Sequence, residues 1–245
     1  MSYAPFEILG IPRAGGILII GDHASNKLPS DIDLRIDPDL IEAHIAWDIG
    51  VRAVSESLVQ NNGFAAFLGG YSRLIVDLNR DKDDDAVIPR QSDGAYIPGN
   101  DLTPDEREAR LARFHRAYHN RLRQLLSECR PALILSLHSF TPALESNPKE
   151  ARPWEVGVLY NQQDKASRLA IPFLEDAGLL VGDQLPYSGK LLNATMNRHA
   201  EANLIPYVGI EMRQDLATGP SGQARFARIL SDMCHFVSEQ LGAAI

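Results

Sequence analysis

The sequence predicts a three-layer α/β/α fold built on a central sheet that is mostly parallel or mixed. Short apolar runs recur along the 245 residues, each of strand length. Longer segments with apolar residues at helical spacing lie between them. Strands alternating with helices in this way imply a sheet covered by helices on both faces.

The elements follow in chain order. Gly16 to Ile20 is the first expected strand, buried on both faces. Asp39 to Gln60 is expected as one helix, with Leu40, Ala43, Ile45, Ala46, Ile49, Ala53, Val54 and Leu58 at roughly helical spacing. The turn Asn61-Asn62-Gly63 ends it. Leu74 to Leu78 is expected as the next strand. Thr103 opens another helix, because Thr-Pro-Asp-Glu offers a capping hydroxyl with proline at the first helical position, and that helix runs to about Cys129. Ala132 to Leu137, Val156 to Tyr160 and Tyr207 to Met212 are further strands. Asp164 to Ala177 and Ser221 to Leu241 are the remaining helices.

Arg80 to Asn100 is polar, rich in turns and too long for a simple connection, so it is expected to be a functional loop over a site. No repeat, low-complexity tract or domain boundary interrupts the chain, and residues 1–245 are expected to form one domain.

Composition excludes several function classes. The chain is 44% hydrophobic and 23% charged, ordinary for a protein with a substantial core. Its net charge of -8 disfavours non-specific binding to nucleic acid or to anionic membrane, so neither is expected as a partner. No apolar run is long enough to cross a bilayer. Cys129 and Cys234 stand far apart and form no CxxC pair. The start, MSYAPFEILG, lacks the basic and long apolar regions of a signal peptide. A cytoplasmic protein is expected. Walker A, GxGxxG and GxSxG patterns are all missing, which argues against nucleotide binding and against a nucleophile-elbow hydrolase.

Polar residues gather just past the ends of the apolar runs. His23 follows ILII, Asn79 and Arg80 follow LIVDL, His138 follows ALILSL, and Glu211 and Arg213 close YVGIEMR. Open α/β sheets bind ligands outside the carboxyl ends of their strands. Two histidines at strand ends suit a borderline cation such as zinc, and a catalytic zinc takes three protein ligands and leaves one position for water. Asp48 is the candidate third ligand, on the helix after the first strand; Asn26 is nearer His23 but neutral, and is the alternative. Glu211 is the candidate general base. Arg73, Asn79, Arg80 and Arg213 are candidate grips for a substrate carboxylate, because a guanidinium fork matches it. His199 is a candidate substrate contact. Competing readings exist for each: a strand-end histidine satisfied by backbone groups, an ion pair of Glu211 with Arg213, and an Asp48 bonded to His44 one turn earlier. His115 and His119 lie four apart on a helix without the glutamate of a zinc motif, and are expected to be solvated or to support a site from behind.

These residues carry a resemblance. GDHASNKLP, AHIAWDIG, YSRLIVDLNRD, SLHSFTP, RPWEVGVLYN, PYSG and IEMRQDL, in this order over about Ile17 to Leu216, together resemble the N-formylglutamate amidohydrolase family. That family is similar in fold to the zinc carboxypeptidases, whose sites use His-x-x-Glu, a later His, an Asn-Arg pair and a late Glu. The resemblance implies His23 and His138 as metal ligands, Asn79 and Arg80 as carboxylate binders, and Glu211 as base. Position 26 departs from the pattern, with asparagine where the carboxypeptidases have glutamate. The implied activity is zinc-dependent hydrolysis of a small N-acyl amino acid, first N-formyl-L-glutamate to formate and L-glutamate. The alternatives are a carboxypeptidase- or deacylase-like hydrolase of another N-acyl amino acid or peptide, and a non-catalytic carboxylate-binding module.

Overall fold

The structure is a computed structural model and describes residues 4–242. The strands are β1 (Phe6–Leu9), β2 (Ile17–Gly21), β3 (Ala65–Gly69), a small hairpin of β4 (Gln91–Ser92) and β5 (Ala95–Tyr96), β6 (Leu133–Phe140), β7 (Val156–Leu159), β8 (Val181–Asp183) and β9 (Tyr207–Arg213). The helices are α1 (Asp39–Glu42), α2 (Val51–Asn62), α3 (Pro104–Arg110), α4 (Ala117–Glu128), α5 (Lys165–Asp176), α6 (Ala194–His199) and α7 (Pro220–Gly242). Seven strands make one sheet in the order β1-β3-β2-β6-β9-β7-β8. The centre, from β3 through β2 and β6 to β9, is parallel. β1 pairs antiparallel with β3, and β7 runs antiparallel to β9, so the sheet is mixed.

Alternation along each strand divides the core between two layers. Ile19, Leu135, Leu137, Val208 and Ile210 join one cluster with Val54 and Leu58 of α2, Ala170 of α5 and Phe226 and Leu230 of α7. Leu18, Ile20, Phe67, Ile134 and Tyr207 face the other way, onto Tyr118 and Leu122 of α4 and Met196 of α6. The same parity puts Ser136, His138 and Glu211 on this second face. Thus one face turns from apolar to polar as it approaches the carboxyl edge. His138 and Glu211 are register partners across β6 and β9.

Thr103 caps α3 as expected: its hydroxyl accepts from the Glu106 amide, and the Glu106 carboxylate accepts from the Thr103 amide at 2.8 Å. The helix then passes through a π segment at Leu111–Arg116 before α4. Single π turns inside α-helices recur at functional sites, and this one carries His115.

Two expected elements are corrected. The apolar run Leu74–Leu78 is a series of turns and not a strand; the strand is Ala65–Gly69, directly after the Asn-Asn-Gly turn. Leu74, Ile75, Val76 and Leu78 are all buried, and burial alone makes a run apolar whatever its backbone does. The expected helix Asp39 to Gln60 is broken between α1 and α2. There the Asp48 amide donates to the carbonyl of His23, and the Arg73 amide and Ser72 hydroxyl both donate to the carbonyl of Ala46. Gly50 follows at φ 91, against the Ala217 backbone, where a side chain would be both strained and blocked. Tertiary contacts here override a continuous helical pattern.

Candidate active site

β2, β6 and β9 end side by side, and the segment carrying Asp48 is pinned across them. A cavity of about 170 Å³ opens there, with His23, Asp48, Arg73, His138 and Glu211 among its walls. His23, Asp48 and His138 are buried, and each offers a ligand atom within 4.8 Å of the others. Asp48 Oδ2 lies 2.9 Å from His138 Nδ1 and 3.3 Å from His23 Nδ1. Asp48 is therefore bonded to the two histidines and not to His44, and it sits in the helix break and not on a helix.

A carboxylate stands behind each ring. Asp77 Oδ1 accepts from His23 Nε2 at 2.8 Å. Asp22 Oδ2 lies 3.6 Å from His138 Nε2, while its other oxygen accepts from Tyr118 at 2.7 Å. Arg73 bridges Asp77 at 2.7 Å and Asp48 at 3.2 Å. Asp77 is the residue that sequence reasoning missed. Its signal was available: a lone carboxylate inside a buried apolar run requires a charged or hydrogen-bonded partner.

The electrostatics follow from this crowding. Burial and Arg73 oppose a charged His23, yet Asp77 and Asp48 outweigh them and hold its pKa up to about 9. Burial also opposes a charged His138, and its bond to Asp48 raises it nonetheless. For Asp48, burial is outweighed by His23, His138 and Arg73, and its carboxyl is held far below the usual range. Burial pushes Glu211 up to about 7. Glu211 Oε2 is buried with no hydrogen-bond partner, as are Asp22 Oδ2 and His138 Nε2.

Asn79 and Arg80 line the same cavity, on a turn and not at a strand end. Their backbone is held from α4 and its π segment. His119 Nε2 donates to the carbonyl of Leu78 at 3.0 Å, and His115 Nε2 donates to the carbonyl of Arg80 at 2.9 Å. A neutral His119 that donates through Nε2 must accept at Nδ1, so His199 Nε2 is the donor of their 2.9 Å bond. All three rings are buried; His115 and His119 are not solvated. His199 supports this network and is not a wall of the cavity. Asn26 is not a wall either and takes no part in the His-Asp-His cluster. Arg213 points away: it donates to Asp215 at 2.8 Å and to the Pro153 carbonyl at 3.0 Å.

The long loop does reach the site. Asp93, in the β4–β5 turn, accepts from His44 of the cavity wall at 3.0 Å and from the amides of Glu145 and Ser146 at 2.9 Å. A larger cavity of about 420 Å³ lies farther along that loop. Two of its polar walls are committed to structure: Asn100 donates to the carbonyls of Leu74 and Pro89, and Arg107 to those of Lys82 and Asp84. The smaller cavity is where the two histidines, Asp48 and the unpartnered Glu211 oxygen meet.

Buried imidazoles sharing a carboxylate beside an unpartnered glutamate oxygen provide for proton transfer and for Lewis-acid binding, the chemistry of a hydrolase. The comparisons agree with that class. A family model described as N-formylglutamate amidohydrolase matches residues 15–218. The chain is similar to gene product Atu2144 from Agrobacterium tumefaciens, with 26% identity and a TM-score of 0.90 over 99% of this chain and 96% of that one. It is also similar to N-formylglutamate amidohydrolase from Ralstonia eutropha JMP134, with 20% identity and a TM-score of 0.77 over 99% of this chain and 100% of that one. At that identity the second likeness shows the fold. No curated protein matches the chain. The chain belongs to the N-formylglutamate amidohydrolase family. It is a hydrolase acting on amide bonds. No helix among the described residues is long and apolar enough to cross a membrane.

Proposed function

We propose that this hydrolase is metal-dependent and cleaves the amide of a small N-acyl amino acid, with N-formyl-L-glutamate giving formate and L-glutamate as the first substrate. The observation that supports this most is the convergence of His23, Asp48 and His138 beside Glu211.

A divalent cation fits the donor set. Two imidazole nitrogens and a carboxylate oxygen are the ligands zinc prefers. The carboxylates of Asp77 and Asp22 behind the two rings are the supports that orient metal-binding histidines. Asp48 and Asp77 share one guanidinium, Arg73, and a divalent cation would take the place of the protons that the carboxylates favour on His23 and His138. When bound there, such a cation supplies Lewis acidity that polarises the scissile carbonyl and makes water a stronger nucleophile.

In this reading the chain's own groups do the rest. Glu211 takes a proton from the attacking water and passes it to the leaving amine. Arg80 and Asn79 fix the substrate's α-carboxylate. Arg73, held by Asp48 and Asp77, lines the cavity as a further contact for a substrate carboxylate. A cavity of about 170 Å³ suits a small molecule.

The test is metal analysis joined to a formate-release assay with and without chelator, over a panel of N-acyl amino acids. Turnover of N-formyl-L-glutamate that disappears with the metal supports the reading. Undiminished turnover by metal-free protein would remove the metal from it. Turnover confined to another N-acyl amino acid or a peptide end would replace the substrate.

A further inference from the structure

One wall of the cavity belongs to none of the roles above. Tyr187 lies on the connection between β8 and α6 and lines the cavity with Glu211 and Arg73.

Two features fix it there. The first is a missing side chain. Gly157 of β7 is the register partner of Glu211 on β9. A Cβ on Gly157 would stand 2.3 Å from the carbonyl oxygen of Leu185 and 3.3 Å from Glu211 Cβ. The connection carrying Tyr187 therefore rests directly on the strand beside Glu211, and only glycine allows that approach.

The second feature is Arg152. Its side chain is 3% exposed, and its guanidinium lies 5.2 Å from the centre of the Tyr187 ring. It donates to the Tyr187 hydroxyl oxygen at 2.9 Å. Its one carboxylate contact among the described residues is Glu150 at 3.4 Å, and its Nε has no partner. A buried arginine is costly to place, and here it faces a neutral phenol. By filling one lone pair of the phenol oxygen, the guanidinium fixes how the hydroxyl is turned. The Tyr187 hydrogen then has no acceptor among the described residues. The fields reaching the phenol agree with this placement: after burial, Glu211 raises its pKa most, while Arg152 and Arg73 lower it, and the group stays neutral. Glu211 is the register partner of His138 and Arg73 is paired with Asp48, so both belong with the cluster of His23, Asp48 and His138.

We propose that Tyr187 is a further catalytic residue that hydrogen-bonds the scissile carbonyl oxygen as it becomes anionic, and that Arg152 is the positioning residue that aims it. The inference rests on the amidohydrolase reading above. Water oxygen bonds to the carbonyl carbon, and the π pair moves onto the carbonyl oxygen, where the Tyr187 O–H meets it. Glu211 takes the water's proton. The carbon–nitrogen bond then breaks as Glu211 returns that proton to the amine, and the carbonyl re-forms in the released acid. Tyr187 keeps its own proton throughout. Such a donor favours the transition state over the ground state, because the oxygen gains charge only on attack.

The experiment is Tyr187→Phe, Arg152→Met and the double variant, assayed on the N-acyl amino acid the wild-type enzyme turns over fastest. Thermal melts of each accompany the kinetics. Tyr187→Phe is expected to lower kcat on the order of 100-fold, with KM changed less than about threefold. Arg152→Met is expected to lower kcat comparably and to add nothing in the Tyr187→Phe background, and Arg152→Lys to restore part of the loss. If Arg152→Met melts early, Arg152→Lys and Tyr187→Phe carry the test. Wild-type kcat in Tyr187→Phe overturns the inference. So does a raised KM at unchanged kcat, which would make the phenol a grip for a substrate carboxylate. Additive losses would remove Arg152 from it. A wild-type enzyme that turns over no N-acyl amino acid defeats the proposed function and this inference together. Wild-type turnover matched by Tyr187→Phe defeats this inference alone.

Discussion

His23 and Asp77 are joined by a 2.8 Å hydrogen bond from the ring's Nε2 to the carboxylate. That bond turns Nδ1 toward Asp48 and His138, because an imidazole that donates at one nitrogen presents the other to the opposite side. Asp77 is held in turn by Arg73 at 2.7 Å. The orientation of the first histidine thus depends on a residue that touches neither Asp48 nor His138 by hydrogen bond.

Asp77→Asn keeps the shape at that position and removes the charge. Zinc affinity, measured by competition against a chromogenic chelator, is expected to weaken by about tenfold or more. An unchanged dissociation constant would mean that His23 needs no carboxylate behind it.

Glu211→Gln tests the proposed base. The substitution is nearly isosteric at a buried site. It is expected to lower kcat by roughly 100- to 10,000-fold while bound metal stays at the wild-type level. Full activity in this variant would assign the proton transfer elsewhere.

Arg80→Ala separates binding from chemistry. KM for an N-acyl amino acid is expected to rise by about tenfold or more, with kcat affected less. His115→Phe removes the donor to the Arg80 carbonyl and is expected to shift KM in the same direction by a smaller factor. A KM unmoved in both variants would show that the substrate carboxylate is gripped by another group.

His199 and His119, buried and held neutral, predict an acid-sensitive element of the fold. Burial, with Arg198 next, brings the His199 pKa down from 6.5 to about 4, and burial with His115 brings His119 to about 2. An unfolded chain binds protons at both rings below about 6.5, while the folded chain leaves them neutral. The stability these two neutral rings contribute is therefore full above that pH and falls as the pH drops from about 6.5 toward 4. The His199 gap alone is worth on the order of 3 kcal/mol. Urea unfolding of His199→Asn between pH 7 and 4.5 is expected to show a shallower decline than wild type. Parallel declines would place the acid sensitivity in other groups.

Much of the fold was legible because burial and periodicity are local signals. The strands at Ile17, Leu133, Val156 and Tyr207 and the helices at Thr103, Asp164 and Ser221 follow from apolar spacing and capping alone. Leu74–Leu78 misled because an apolar run reports burial and not backbone conformation. The break near Asp48 escaped because its causes, the carbonyl of His23 and the donors on Arg73 and Ser72, come from other segments.

The same division holds for the site. By itself the sequence determined which candidate donors, acids and bases follow its apolar runs, while the register that sets His138 beside Glu211 came with the structure. Tertiary structure decided the rest: that Asp48 and not Asn26 meets both histidines, that Asp77 stands behind His23, that Arg213 turns away, and that Tyr187 comes to rest beside Glu211. The physical reason is range. Hydrogen bonds and ion pairs act over a few ångströms between residues tens of positions apart, and only the packed chain brings those positions together.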